Sequence, residues 1–267
     1  MITALFLFVM LTFTVIMHVI VLPNWWFLIL WLALGYIIAS LFVILFMVVQ
    51  LPILRRLSLT NKYKHYAYRS TAYFLNRFIL RLSIEVKGEE NIPFGNRLTI
   101  YSNHKSYVDP VVMMEVITRP TSYTPKMSVY KLPVMKTLLK SMGAFPIDRS
   151  SDRNTARAMV DAIKVVKQGV AMVIYPEGGI KDRNDIRMVA MRAGAYRLAV
   201  KAEADLLPIS MIGTTDVKKR WPFRKTKIKV VIHELVKFKS VEHMKTQEMA
   251  DYMFQIINEP LNDVEDE

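Results

Sequence analysis

The sequence predicts an α/β domain, with a mixed, largely parallel sheet flanked by helices, carried behind an N-terminal helical membrane hairpin. Three observations predict it. No Lys, Arg, Asp or Glu precedes Arg55. From about residue 83 onward, short apolar runs rich in β-branched residues alternate with helical patterns, the arrangement that favours a sheet covered on its faces. Two polar clusters, Asn103-His104 and Pro176-Glu177-Gly178-Gly179, each come directly after one of those apolar runs.

The uncharged head, residues 1–54, divides into two apolar runs, Ile2–Leu22 and Trp26–Val49. Each has the ~20 residues that cross a hydrocarbon core at about 1.5 Å per residue. Pro23-Asn24-Trp25-Trp26 reads as the turn between them, with tryptophans suited to a membrane interface. A cleaved signal peptide fits poorly, because the head has no basic start and no small-residue cleavage site. Arg55, Arg56, Lys62, Lys64 and Arg69 come after the second run, so the positive-inside rule places the globular body on the cytoplasmic face. Two full spans and a hairpin dipping into one leaflet both satisfy this rule. His18, inside the first run but near the turn, reads as a neutral interfacial histidine.

Residues 55–82 interleave Tyr63, Tyr66, Tyr68, Tyr73, Phe74 and Phe78 with Lys62, Lys64, Arg69, Arg77 and Arg81. They suggest an amphipathic helix over Lys62–Leu82, either lying on the membrane or covering a core. Residues 83–267 form the α/β domain. Strands are expected at Arg97–Ser102, Thr121–Pro125, Val170–Tyr175, Leu206–Ile212 and Lys227–Glu234. Helices are expected at Val111–Thr118, Leu132–Met142, Arg153–Lys167, Met188–Ala202 and Met244–Asn258, before an acidic tail over 262–267.

The formal charge of +13 suits an anionic partner, and two candidate spans favour an anionic membrane surface over nucleic acid. The same holds for Lys218-Lys219-Arg220-Trp221-Pro222-Phe223-Arg224-Lys225, which reads as headgroup-facing or as a solvated loop. With no cysteine, the chain has no disulfide, thiolate nucleophile or cysteine-ligated metal.

If the strands before the two polar clusters run parallel, both clusters open onto the carboxyl edge of the sheet, where ligands of open α/β sheets gather. His104 has the chemistry of a general base for an attacking hydroxyl, and Asp109, five residues on, can orient its ring. The spacing alone is common. Asp109-Pro110 also reads as a helix N-cap followed by its first residue. Arg149, closing Gly143–Arg149, is either a surface residue or a clamp on phosphate. Glu177, Gly178 and Gly179 make either a plain turn or a backbone cradle for an anion. Ser102 and Ser106 flank His104, but no G-x-S-x-G elbow marks a serine hydrolase.

Taken together, these blocks resemble the glycerolipid acyltransferase family, which includes the lysophosphatidic acid acyltransferases. His104 and Asp109 match its histidine-x4-aspartate box. Gly143–Arg149, Tyr175–Gly179 and Leu207-Pro208-Ile209 are similar to its later blocks, in order. The resemblance implies acyl transfer from acyl-CoA or acyl carrier protein to the sn-2 hydroxyl of lysophosphatidic acid, with no metal or other cofactor. It implies His104 as base, Asp109 as its orienter, and Arg149, Glu177, Gly178 and Gly179 around the acceptor's glycerol phosphate. Lys126 stands where members often carry a phosphate-contacting lysine. One departure matters: the family's third block commonly reads Phe-Pro-Glu-Gly-Thr-Arg, whereas here Gly179-Ile180 replaces Thr-Arg. Lys181 or Arg183 could supply the missing charge. Glycerol-3-phosphate or another lysophospholipid is therefore an alternative acceptor. A non-catalytic lipid-binding protein of the same fold is the reading from a different class.

Overall fold

The computed structural model describes residues 1–146, 152–180, 186–189, 191–219 and 224–262. Helix α1 (Ile2–Ile16) continues through one π-helical turn, Met17–Val21, and α2 (Leu28–Arg56) returns beside it. Between them Asn24 caps a short 3₁₀ turn by accepting the Trp26 N–H at 3.2 Å. Ile2–Val21 and Trp25–Arg56 are each long and apolar enough to cross a membrane. The two helices approach closely at Gly35, where an added Cβ would stand 3.0 Å from the Met10 carbonyl and the Thr14 hydroxyl.

The hairpin shares a core with the rest of the chain. Ile2 and Phe6 from α1, and Ala39, Val43, Leu51 and Leu54 from α2, belong to one buried cluster with Ile100, Val173 and Leu207. Helix α3 (Lys62–Phe74), followed by a π turn at Leu75–Ile79, is capped by Asn61, which accepts the Lys64 N–H at 3.0 Å. It buries Ala67, Tyr68, Ala72 and Phe74 and exposes Tyr63, Tyr66 and Tyr73. Arg69 and Arg77 in this region are engaged within the protein. Arg69 donates to the Glu115 carbonyl, while Arg77 and Asn76 meet the Glu115 carboxylate at 3.3 and 2.7 Å. One face therefore covers the core, and the tyrosine face remains available to a surface.

Among the described residues six strands form the sheet: β1 (Leu82–Lys87), β2 (Leu98–Ser102), β3 (Thr121–Tyr123), β4 (Ala171–Ile174), β5 (Asp205–Ile212) and β6 (Thr226–Ile232). Their order is β1-β6-β5-β2-β4-β3, parallel throughout except where β5 meets β6. The helices of this part are α4 (Asp109–Val116), α5 (Pro133–Ser141), α6 (Asp152–Lys167), α7 (Arg197–Ala202), α8 (Phe238–Val241) and α9 (Thr246–Asn262). One buried cluster joins the sheet to α1, α2 and α4. A second, with Tyr101, Met172, Tyr196 and Met253, joins it to α6, α7 and α9.

The expected strands and most expected helices fall within a few residues of these bounds, with two corrections. Residues 82–87, not expected as a strand, pair with β6 through the alternation of Leu82, Ile84 and Val86. Of the helix expected at Met188–Ala202, the described residues are helical only from Ala193, because Met188 and Arg192 bond elsewhere; Ala190 lies outside the described residues. Met188 N–H donates to Asn258 at 2.8 Å and Arg192 N–H to the Pro176 carbonyl at 3.1 Å.

Gly88 ends β1 with φ +80°, and an added Cβ would lie 2.0 Å from the Ile232 carbonyl oxygen. Gly88→Ala is therefore expected to lower stability by about 2 kcal/mol, read as an earlier thermal unfolding of the purified protein.

Candidate active site

Strand register assembles the site. β2 and β4 run parallel with Tyr101 opposite Ile174, which sets His104 and Glu177, each three residues beyond, at the same edge. β3 lies beside β4 with Tyr123 opposite Val173, which brings Lys126 to that edge as well. Asn103 fixes the end of β2, because its side-chain amide donates to the Met211 carbonyl and accepts the Met211 N–H, both at 2.8 Å. The loop to α4 therefore starts from a rigid point.

Within that loop the His104 Nδ1 lies 2.9 Å from Asp109 Oδ2. The same oxygen accepts the N–H groups of Lys105 and Ser106 at 2.8 and 2.9 Å. Asp109 is fully buried and stands in the first turn of α4, where the helix dipole favours a negative charge. Val108, not Asp109, is the N-cap, so the carboxylate secures the loop before the helix instead of capping it. An ionised Asp109 requires the proton on Nδ1, which leaves Nε2 as the basic nitrogen of His104. The ring lies flat on Tyr175, centroids 4.2 Å apart and planes 20° from parallel. Burial, reinforced by Asp109 and Tyr123, holds the Tyr175 phenol well above its ordinary pKa, so the platform is neutral.

Glu177 is fully buried and both its oxygens are occupied. One accepts the His104 N–H at 2.9 Å, and the other pairs with the Lys105 ammonium at 3.1 Å. Its carboxylate thus faces the protein, and a phosphate near this turn would meet other groups. Gly178 and Gly179 come next, with φ of +77° and +147°. A Cβ on Gly179 would stand 3.0 Å from the Lys126 ammonium, so the missing side chain is what lets that cation lie over the turn. Leu207 and Ile209, in the fourth block, are core residues of β5.

Of the residues singled out in the sequence, His104, Asp109, Lys126, Glu177, Gly178 and Gly179 converge here. Arg149, Lys181 and Arg183 lie outside the described residues, as do residues 220–223 of the basic cluster and 263–267 of the acidic tail. Among the described residues no group of His, Asp and Glu is placed to hold a metal ion. Sequence reasoning placed Asn103 in the cluster but missed its role on Met211, and it missed Lys105 and the ring of Tyr175. The signal available for Lys105 was its place beside His104 in a loop that the strands bury.

Fold and site together define an α/β protein with an oriented histidine at the carboxyl edge of its sheet and a long apolar hairpin ahead of it. Residues 83–212 match the family described as Acyltransferase. A 1-acyl-sn-glycerol-3-phosphate acyltransferase of Borreliella burgdorferi is 30% identical over 53% of this chain and 56% of its own length. One of Bacillus subtilis is 25% identical over 70% of this chain and 90% of its own length. The match covers 37% of the Brassica napus relative, so the similarity spans about half, or less, of several relatives. The crystal structure of the 1-acyl-sn-glycerophosphate acyltransferase PlsC from Thermotoga maritima superposes with a TM-score of 0.67. It covers 99% of this chain and 98% of its own at 20% identity, a likeness of fold. Over residues 83–212 the chain is thus similar to the acyltransferase family.

Proposed function

We propose that this protein transfers a fatty acyl group from acyl-CoA or acyl carrier protein to the sn-2 hydroxyl of lysophosphatidic acid, giving phosphatidic acid at the cytoplasmic face of a membrane. The observation that carries the reading is the 2.9 Å contact between His104 and Asp109, with two backbone donors on the same carboxylate oxygen. The names of the Borreliella and Bacillus relatives support the acceptor class.

His104 Nε2 takes the proton of the acceptor hydroxyl as its oxygen attacks the thioester carbonyl. The tetrahedral intermediate then collapses, the carbon–sulfur bond breaks, and the thiol leaves with a proton returned from the imidazolium. Asp109 stabilises the imidazolium between these events. The acceptor oxygen is itself the nucleophile, so no acyl-enzyme forms. Arg55 and Arg56 at the end of α2 and Lys62 at the start of α3 support the cytoplasmic orientation. The test is labelled oleoyl-CoA, and separately oleoyl-acyl carrier protein, with lysophosphatidic acid and the detergent-purified protein. Phosphatidic acid is the expected product, and none from either donor would overturn the reading.

Lys126 is the cation this reading assigns to the acceptor phosphate. A charge-assisted hydrogen bond is worth about 1.5–3 kcal/mol. Lys126→Ala should therefore raise the acceptor KM by about 10- to 100-fold with a smaller effect on kcat. Gly179→Thr, which returns the family's usual residue into the space beneath that ammonium, should act in the same direction. Glycerol-3-phosphate or another lysophospholipid is the second reading, favoured by Gly179-Ile180 in place of Thr-Arg. The same assay with a panel of acceptors at one donor separates them. A protein that binds these lipids but transfers nothing would be the non-catalytic form of the fold.

A further inference from the structure

The apolar surface beside the site is not confined to the hairpin. Lys126 is followed by a 3₁₀ turn, Met127–Lys131, and then by α5. The inner side of this stretch joins the core: Leu139 is buried, Val129, Tyr130 and Leu138 pack against it, and the Tyr130 hydroxyl bonds the Ala144 carbonyl. Its outer side exposes Met127, Leu132 and Val134 at 42%, 58% and 48%. Lys131, Lys136 and Lys140 lie among them, and no acidic residue occurs from Lys126 to Lys140.

A globular surface seldom leaves several large apolar side chains together in water, and lysines around them select an anionic, amphiphilic partner. The neighbouring surface identifies that partner. α5 packs against α2, whose outer side exposes Leu41, Leu45, Val49 and Ile53, one residue at each turn. The apolar side of the hairpin is thus continued by the Met127–Val134 edge. On the other side that edge adjoins Lys126 and Gly179, and Tyr107, in the loop after His104, is 77% exposed.

We propose that residues 127–140 form a second membrane-contact surface that rests on an anionic phospholipid bilayer. Met127, Leu132 and Val134 enter the headgroup–acyl boundary, and Lys131, Lys136 and Lys140 lie on phosphates. The contact seats the mouth of the site on the bilayer, so a single-chain phospholipid reaches His104 without entering water. That last consequence rests on the acyl-transfer reading; the contact itself does not.

The absence of cysteine makes the test direct. Leu132→Cys, Val134→Cys, Trp26→Cys at the hairpin tip and Lys201→Cys on α7 are each labelled with an environment-sensitive fluorophore. Each full-length protein is placed in phosphatidylglycerol–phosphatidylcholine vesicles carrying headgroup-proximal nitroxide lipids. Labels at 132 and 134 should shift to the blue and lose emission to the nitroxides, while the label at 201 does neither. Replacing Lys131, Lys136 and Lys140 together by Glu should reverse the change at 132. Labels at 132 and 134 that behave like the one at 201 overturn the contact, whether or not the hairpin label is quenched. Quenching at 132 and 134 that persists in an inactive His104→Ala protein supports it, so the contact and the acyl-transfer reading fail separately.

Discussion

His104→Ala is expected to lower the rate of acyl transfer by about a thousandfold, roughly 4 kcal/mol of transition-state stabilisation, with acceptor binding little changed. Without the imidazole, the acceptor hydroxyl keeps its proton as it attacks, and water in the site is a poor substitute. Asp109→Asn should approach the same loss by a different route. The asparagine oxygen can still accept the N–H groups of Lys105 and Ser106, which at present bond Oδ2 at 2.8 and 2.9 Å. Held there, that oxygen also still faces His104 Nδ1, which lies 2.9 Å from Oδ2, but without a negative charge it no longer stabilises the imidazolium that forms as the base takes its proton. Single-turnover rates measure both variants. Wild-type turnover in His104→Ala would remove histidine from the mechanism, and full activity in Asp109→Asn would show that the imidazolium does not need the charge of Asp109.

The sequence made the scaffold legible where its signals are local. The charge-free stretch before Arg55 forms the hairpin, and the apolar runs ending at Ser102 and near Tyr175 are adjacent parallel strands. From that pairing alone His104 and Glu177 had to share an edge. What was not legible depends on side chains that meet across many residues. Lys105 looks like a solvated lysine until Glu177 is seen opposite it, 72 positions later, with both buried. Asn103 reads as part of a motif, yet its amide is committed to Met211 in β5. Met188 and Arg192, before Ala193, stand among helix-forming residues but are not helical, because Asn258 and Pro176 offer their N–H groups partners that a helix would forgo. The core shared by α1, α2 and the sheet was hidden for a similar reason. Membrane-facing and core-facing residues are equally apolar in composition, so only packing separates Phe8 from Phe6.

Glu177→Ala is expected to lower stability by about 3–5 kcal/mol, because it strands the buried Lys105 ammonium and the His104 N–H at once. The ammonium is the larger part: an unpaired charge in a site with 2% exposure has neither water nor a counterion. A double variant makes the test sharper. Lys105→Met removes the charge, and Glu177→Gln keeps an acceptor for the His104 N–H, so the two together should recover most of the lost stability in thermal unfolding. Activity should recover in parallel, since the carboxylate then acts by holding the loop that carries His104. If Glu177 instead touched the acceptor's glycerol phosphate directly, stability would return without turnover, and the acceptor KM would stay raised. A double variant no more stable than Glu177→Ala would show that the ion pair is not what holds the two loops together.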